Sequence, residues 1–179
     1  MATKTKWVID PTHSEVAFKV KHLMISNVKG NFSAFEVNAL TDGDDFSHAE
    51  INVSINTSSI STGVADRDAH LKSPDFFDSA NFETMTFVSK SLTGSGDDYK
   101  LEGDLTIRGI TNPVSLNVEF GGLMTDPWGN VKAGFNVDGK INRKDWGLTW
   151  NAALEAGGVL VAEEVRINAE IELLKVKEG

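Results

Sequence analysis

The sequence predicts an all-β domain of about eight antiparallel strands closed into a barrel, and three observations carry that expectation. Apolar and polar residues alternate with period two through most of the chain, as in strands with one dry and one wet face. Clusters of glycine, asparagine and proline, "GSGDD" at 94–98, "RGITNPV" at 108–114 and "DPWGN" at 126–130, separate these runs as hairpin turns do. No long crossover interrupts the meander. A sheet that must bury one face and hide its edges then closes most simply into a barrel, although a two-sheet sandwich satisfies the same periodicity.

The strands follow in order. In "SEVAFKVK" Val16, Phe18 and Val20 alternate with Glu15, Lys19 and Lys21. "GNFSAFEV" contributes Phe32, "HAEINVSINTSSI" contributes Ala49, Ile51, Val53 and Ile55, and "TMTFVSKS" contributes Phe87. "DYKLEGDLTIRG" and "PVSLNVEFGG" carry Leu105, Ile107, Val114, Leu116, Val118 and Phe120. "VKAGFNVDGKIN" brings Val131, Ala133, Phe135 and Val137, and "EEVRINAEIELLKV" brings Val165, Ile167, Ala169, Ile171 and Leu173. Three segments break the pattern and read as helical insertions: 22–28, 64–73 with Pro74 just after, and 143–158. With no linker, repeat or low-complexity tract, residues 1–179 read as a single domain.

Composition narrows the function. Seventeen basic residues against 26 acidic give a net charge of −9, so a nucleic-acid partner is repelled at long range. The absence of cysteine removes disulfides, thiolate metal sites and cysteine nucleophiles together. No apolar run reaches the roughly 18 residues of a membrane span, so no stable membrane insertion is expected. The first residues hold no apolar signal region, which leads us to expect a cytoplasmic protein; a periplasmic chain trimmed of its signal would read the same. No G-x-S-x-G elbow, phosphate loop or H-E-x-x-H is present.

The ordered motifs "WVIDPTHSEVAFKVKHL", "GNF", "DRDAHLKSPDFFD", "GDLTIRGIT" and "INRKDWGLTWN" resemble the YceI-like family, a lipocalin-like group of polyisoprenoid-binding proteins, from Trp7 to about Leu174. The resemblance implies an extended eight-stranded antiparallel barrel holding an amphiphilic isoprenoid lipid, such as a polyprenyl phosphate or isoprenoid quinone, in an apolar channel. It implies no cofactor and no metal. The expected channel wall comprises Val16, Phe18, Val20, Phe32, Ile51, Val53, Phe76, Phe77, Phe87, Leu116, Val118, Phe135, Trp146, Trp150 and Ile167. His13, His22, His70, Arg108 and Arg143 are the expected headgroup or rim residues.

Each candidate also has a structural reading. In "DRDAHLKSPDFFDSANF" Asp66 and His70 stand i, i+4 on a helix, but a metal needs three or four ligands. We read Asp66, Arg67 and Asp68 as fixing a helix over the barrel mouth, ended by Pro74, with Phe76, Phe77 and Phe82 plugging the interior. His13 and His22 lie at opposite ends of one strand, about 30 Å apart at strand rise, and cannot share a ligand. Arg108 and Arg143 suit a phosphate, or pair with carboxylates such as Asp104 and Asp145. Trp146 and Trp150 share a face if their segment is helical. The expected function is therefore non-catalytic lipid binding, storage or transport. The alternatives are an enzyme acting on a hydrophobic small molecule and a dry barrel serving as an interaction module; homodimerisation through an exposed strand or helix is also allowed.

Overall fold

The computed structural model describes residues 4–151 and 160–177. Its strand segments are β1 (Thr5–Ile9), β2 (Glu15–His22), β3 (Ser26–Phe32), β4 (Phe35–Asp42), β5 (Asp45–Asn56), β6 (Ile60–Ser61), β7 (Thr84–Ser95), β8 (Asp98–Ile107), β9 (Ile110–Thr125), β10 (Val131–Asn142) and β11 (Val161–Lys175). One helix, α1 (Ala65–Lys72), lies between β6 and β7. Strands β1, β4, β5, β7, β8, β9, β10 and β11 pair in that order, and β11 pairs back to β1. The ring is a closed eight-stranded antiparallel barrel, which leaves no free edge there.

The remaining strands continue lanes of this ring rather than adding new ones. β1 and β2 lie one after the other along the same edge of β11, with Ile9 opposite Leu173 and Glu15 opposite Glu170. β3 pairs with β2, and β4 with β1, so they too form one lane, bent at Ser33 and Ala34. The expected count of eight strands is thus the count of lanes, several of them bent. Pro11 supplies the first break: it has no N–H for a ladder, and a 3₁₀ turn at Pro11–His13 takes its place.

That kink is held by polar contacts. The Asp10 N–H donates to the Glu172 carbonyl at 2.9 Å, and the Lys132 ammonium reaches Asp10 at 2.9 Å and Glu172 at 3.1 Å. Asp10, His13 and Glu172 lie close enough to suggest a metal site, but Lys132 already supplies the cation between the two carboxylates. The Asp10 carboxyl lies well below its ordinary value because the Thr12 hydroxyl donates to it, joined by Lys132, His13 and the Thr12 N–H.

At the end of the barrel where β1 pairs with β4 and β11, the interior is filled. Trp7 is fully buried and its indole N–H donates to the Thr41 hydroxyl at 2.8 Å. Its ring contacts Phe46 at 4.8 Å, and Phe46 contacts Phe120 and Phe135 at 5.6 and 4.9 Å. Ala39, opposite Trp7 in register, and Ala133 are buried in the same core.

One helical expectation fails and a second is met only as a single turn among the described residues. Residues 22–28 form the tip of the β2–β3 hairpin, because Val20 pairs with Val28 and the Ile25 N–H donates to the His22 carbonyl at 3.2 Å. Among the described residues of the 143–158 segment, only Arg143–Trp146 is helical, as a 3₁₀ turn that Gly147 ends at φ 77°. Residues 152–159 lie outside the described residues. The third expectation, at 64–73, corresponds to α1.

Candidate functional site

A cavity of about 400 Å³ extends from the packed end toward α1, within the roughly 300–1,000 Å³ typical of ligand pockets. β11 lines it along its inward face, from Val161 at the mouth through Val165, Ile167, Ala169 and Ile171 to Leu173 at the floor. The period-two alternation produces this wall directly, because outward Arg166, Asn168 and Glu170 fall between these positions. Val16, Val20, Ile51 and Ile167 point into the barrel yet are only half-buried, as residues that line a cavity are.

Of the fifteen expected wall residues named above, Val16, Phe18, Val20, Phe32, Ile51, Val53, Phe76, Phe77, Phe87, Leu116, Val118, Phe135, Trp150 and Ile167 line the cavity. Trp146 does not. It is 2% exposed and donates from its indole to the Leu105 carbonyl at 2.8 Å, because the turn at Gly147 directs it away from Trp150. Phe82 also leaves the interior and packs beneath the Gly109 turn. Gly30 is required for the adjoining wall: the Phe18 ring lies over it, so an added Cβ would sit 2.5 Å from that ring.

Among the described residues, the only polar side chains on the wall are His22, Arg67, His70 and Arg143. All are basic in type and cluster at the mouth, where α1 meets β2 and the start of β11. His70 bonds Asp75 at 2.9 Å rather than Asp66, and its ring stands edge-on to Phe76 and Trp150 at 5.1 and 4.6 Å. Arg67 donates to the Thr62 hydroxyl at 2.8 Å and the Thr62 carbonyl at 3.0 Å. Asp68 accepts from the same threonine, so Thr62 ties the start of α1 to the barrel. Arg67 makes no ion pair among the described residues, which leaves its charge available at the mouth. It was expected to serve the helix alone, and nothing in the local sequence separates that role from a cavity-facing one.

The other expected rim residues divide. His22 lines the mouth. His13 sits at the β1–β2 kink, exposed and bonded to Asp10, because the whole of β2 separates it from the mouth. Arg108 is the first residue of a two-residue turn, at φ 52°, and does not line the cavity. Asp104, its expected partner, pairs with Lys90 at 3.2 Å. Arg143 lines the cavity but is 3% exposed and donates to the carbonyls of Leu148, Trp150, Val161 and Ala162 at 2.6, 2.9, 3.3 and 2.9 Å. Burial pushes its pKa down, and four carbonyl dipoles meet the charge in place of a carboxylate. Its guanidinium therefore knits the mouth together.

The same architecture recurs in known proteins. A UPF0312 protein of Staphylococcus aureus (strain MSSA476) is 44% identical over 169 residues, covering 94% of this chain and 96% of that protein. The crystal structure of the Campylobacter jejuni YCEI protein is 34% identical, has a TM-score of 0.74, and covers 95% of this chain and 97% of its own. A polyisoprenoid-binding domain from Saccharophagus degradans, implicated in plant cell wall breakdown, shares the fold at 14% identity with a TM-score of 0.67, covering 95% and 98% of the two chains. The model of the YceI-like domain matches residues 7–173, and the chain belongs to the YceI-like family.

Proposed function

We propose that the barrel binds one amphiphilic isoprenoid lipid without transforming it. The tail lies along the apolar wall and the headgroup meets His22, Arg67 and His70. The observation that carries this reading is the segregation of the cavity: among the described residues its wall is apolar to the floor, and its polar groups are all basic and all at one end. Each methylene buried against such a wall gains about 0.8 kcal/mol, so a long tail binds firmly without specific polar contacts. The basic groups suit an electron-rich or anionic head such as a quinone or a phosphate. Kinship with a fold that binds polyisoprenoids in another organism supports the choice of tail.

Binding is favoured over catalysis because no carboxylate, hydroxyl or amine is among the described wall residues. The His70–Asp75 pair is where turnover would first be sought, with His70→Ala as the variant. Native mass spectrometry of freshly purified protein, followed by organic extraction, tests the reading. A stoichiometric isoprenoid supports it; an empty protein that also takes up no added isoprenoid quinone or polyprenyl phosphate overturns it.

A further inference from the structure

The tip of the β2–β3 hairpin is built against its own stability. Leu23 and Met24 both have positive φ, 54° and 61°. Asparagine and glycine take this conformation in tight hairpin turns at least cost, whereas bulky side chains are strained there. Leu23, Met24 and Ile25 are also 37%, 59% and 85% exposed. Three consecutive apolar side chains thus project into solvent beyond His22, which lines the mouth.

The hairpin behind this tip differs in charge from the rest of the protein. Between Glu15 and Glu36 there is no acidic residue, in a chain with 26 of them. Lys19, Lys21 and Lys29 lie exposed on its outer face, and none has a carboxylate within 4.0 Å among the described residues. Register aligns Lys140 with Arg166, Arg166 with Lys19, and Lys19 with Lys29. Glu164 lies near both Lys140 and Arg166, at 3.9 and 3.8 Å, so the pair left without a carboxylate is Lys19 opposite Lys29, and like charges directly across strands cost stability unless an anionic surface meets them. The turns at the opposite end carry Asp42, Asp44, Asp45, Asp97, Asp98 and Asp126. At the mouth end Asp68, Asp75 and Glu163 are engaged by Thr62, His70 and Lys144, while Asp66, Glu83 and Asp145 are exposed on elements other than the hairpin, which favours an approach with the hairpin leading.

We propose that the β2–β3 hairpin docks the barrel mouth on an anionic lipid bilayer, with Leu23, Met24 and Ile25 entering the interface and Lys19, Lys21 and Lys29 facing the headgroups. Charges further than a Debye length, about 8 Å at physiological salt, contribute little, so the remote aspartates do not prevent the contact. In the isoprenoid-binding reading, on which its purpose rests, this contact is where cargo enters and leaves the cavity.

Vesicle flotation of the full chain tests the proposal, with phosphatidylcholine alone and with added phosphatidylglycerol. Binding is expected only to the anionic vesicles, and to be lost as salt is raised. The Lys19→Gln/Lys21→Gln/Lys29→Gln variant should partition at least about tenfold less. The Leu23→Asn/Met24→Gly variant should melt about 2–4 °C higher, because the turn is relieved, and should also lose binding. Three results each overturn the proposal: wild type ignoring anionic vesicles at low salt, both variants binding like wild type, or a dimer that the variants dissociate with no vesicle binding. Isoprenoid uptake from dilute detergent by the same proteins separates the two readings. Uptake without vesicle binding removes the docking element alone, whereas absent uptake removes the cargo.

Discussion

The two ends of the barrel use the same alternating strands to opposite effect. At the closed end Trp7, Phe46, Phe120 and Phe135 pack ring on ring in one core with buried Ala39 and Ala133. At the mouth Phe18, Phe32, Phe76, Phe77 and Trp150 form an equally aromatic set, but these rings border the cavity and share it with His22, Arg67 and His70. Bulk and spacing make the difference. Large rings from facing strands meet at the closed end, whereas valine and isoleucine on bent lanes hold the walls apart toward the mouth. Aromatic content alone does not distinguish a core from a binding site.

The largest expected effect breaks this comparison at its closed end. Trp7→Ala should cost about 3–5 kcal/mol in urea unfolding, from lost burial and the cavity left behind. Trp150→Ala at the mouth should cost about 1 kcal/mol or less. An equal loss at both sites would mean that the mouth is packed as a core. Arg143→Met comes next, at roughly 3 kcal/mol, since it strands several carbonyls that the guanidinium now satisfies. A stable variant with weakened lipid binding would instead return Arg143 to a headgroup role.

Overfilling sharpens the contrast. Ala133→Leu at the closed end should destabilise by about 1–3 kcal/mol. Val20→Phe in the open half should change stability by about 0.5 kcal/mol or less while reducing isoprenoid uptake, read by titration of a fluorescent analogue. The smallest effect concerns pH. Because the folded-state pKa of Asp10 is depressed below its ordinary 3.8, its stabilisation is complete above that value and is lost as pH falls below it. Acid should therefore lower the melting temperature more in wild type than in Asp10→Asn, and identical acid titrations would remove the kink from the stability account.

Much of this was legible in one dimension. Alternation identified the lanes and the inward residues, because side-chain direction in a strand is set by parity and survives bending. The family motifs identified the barrel and its kinship. Helix α1 was recognisable from its helix-forming run and the proline that follows. The site was legible where it is wall and obscure where it is polar. His13 and His22 have similar sequence settings, yet only His22 reaches the cavity, because β2 carries the chain from a mid-barrel kink to the rim. Trp146 and Trp150, four residues apart, separated because Gly147 ends the turn between them.

By itself the sequence determined the all-β class, the eight lanes and which face of each is apolar, since these follow from local parity and turn chemistry. Only the tertiary structure decided that the lanes bend, that one end fills while the other stays open, and that Arg67 serves the mouth while Arg143 holds its backbone together. Those outcomes depend on which residues of distant strands meet across the barrel, and cross-barrel distance is set by closure and register rather than by any local pattern.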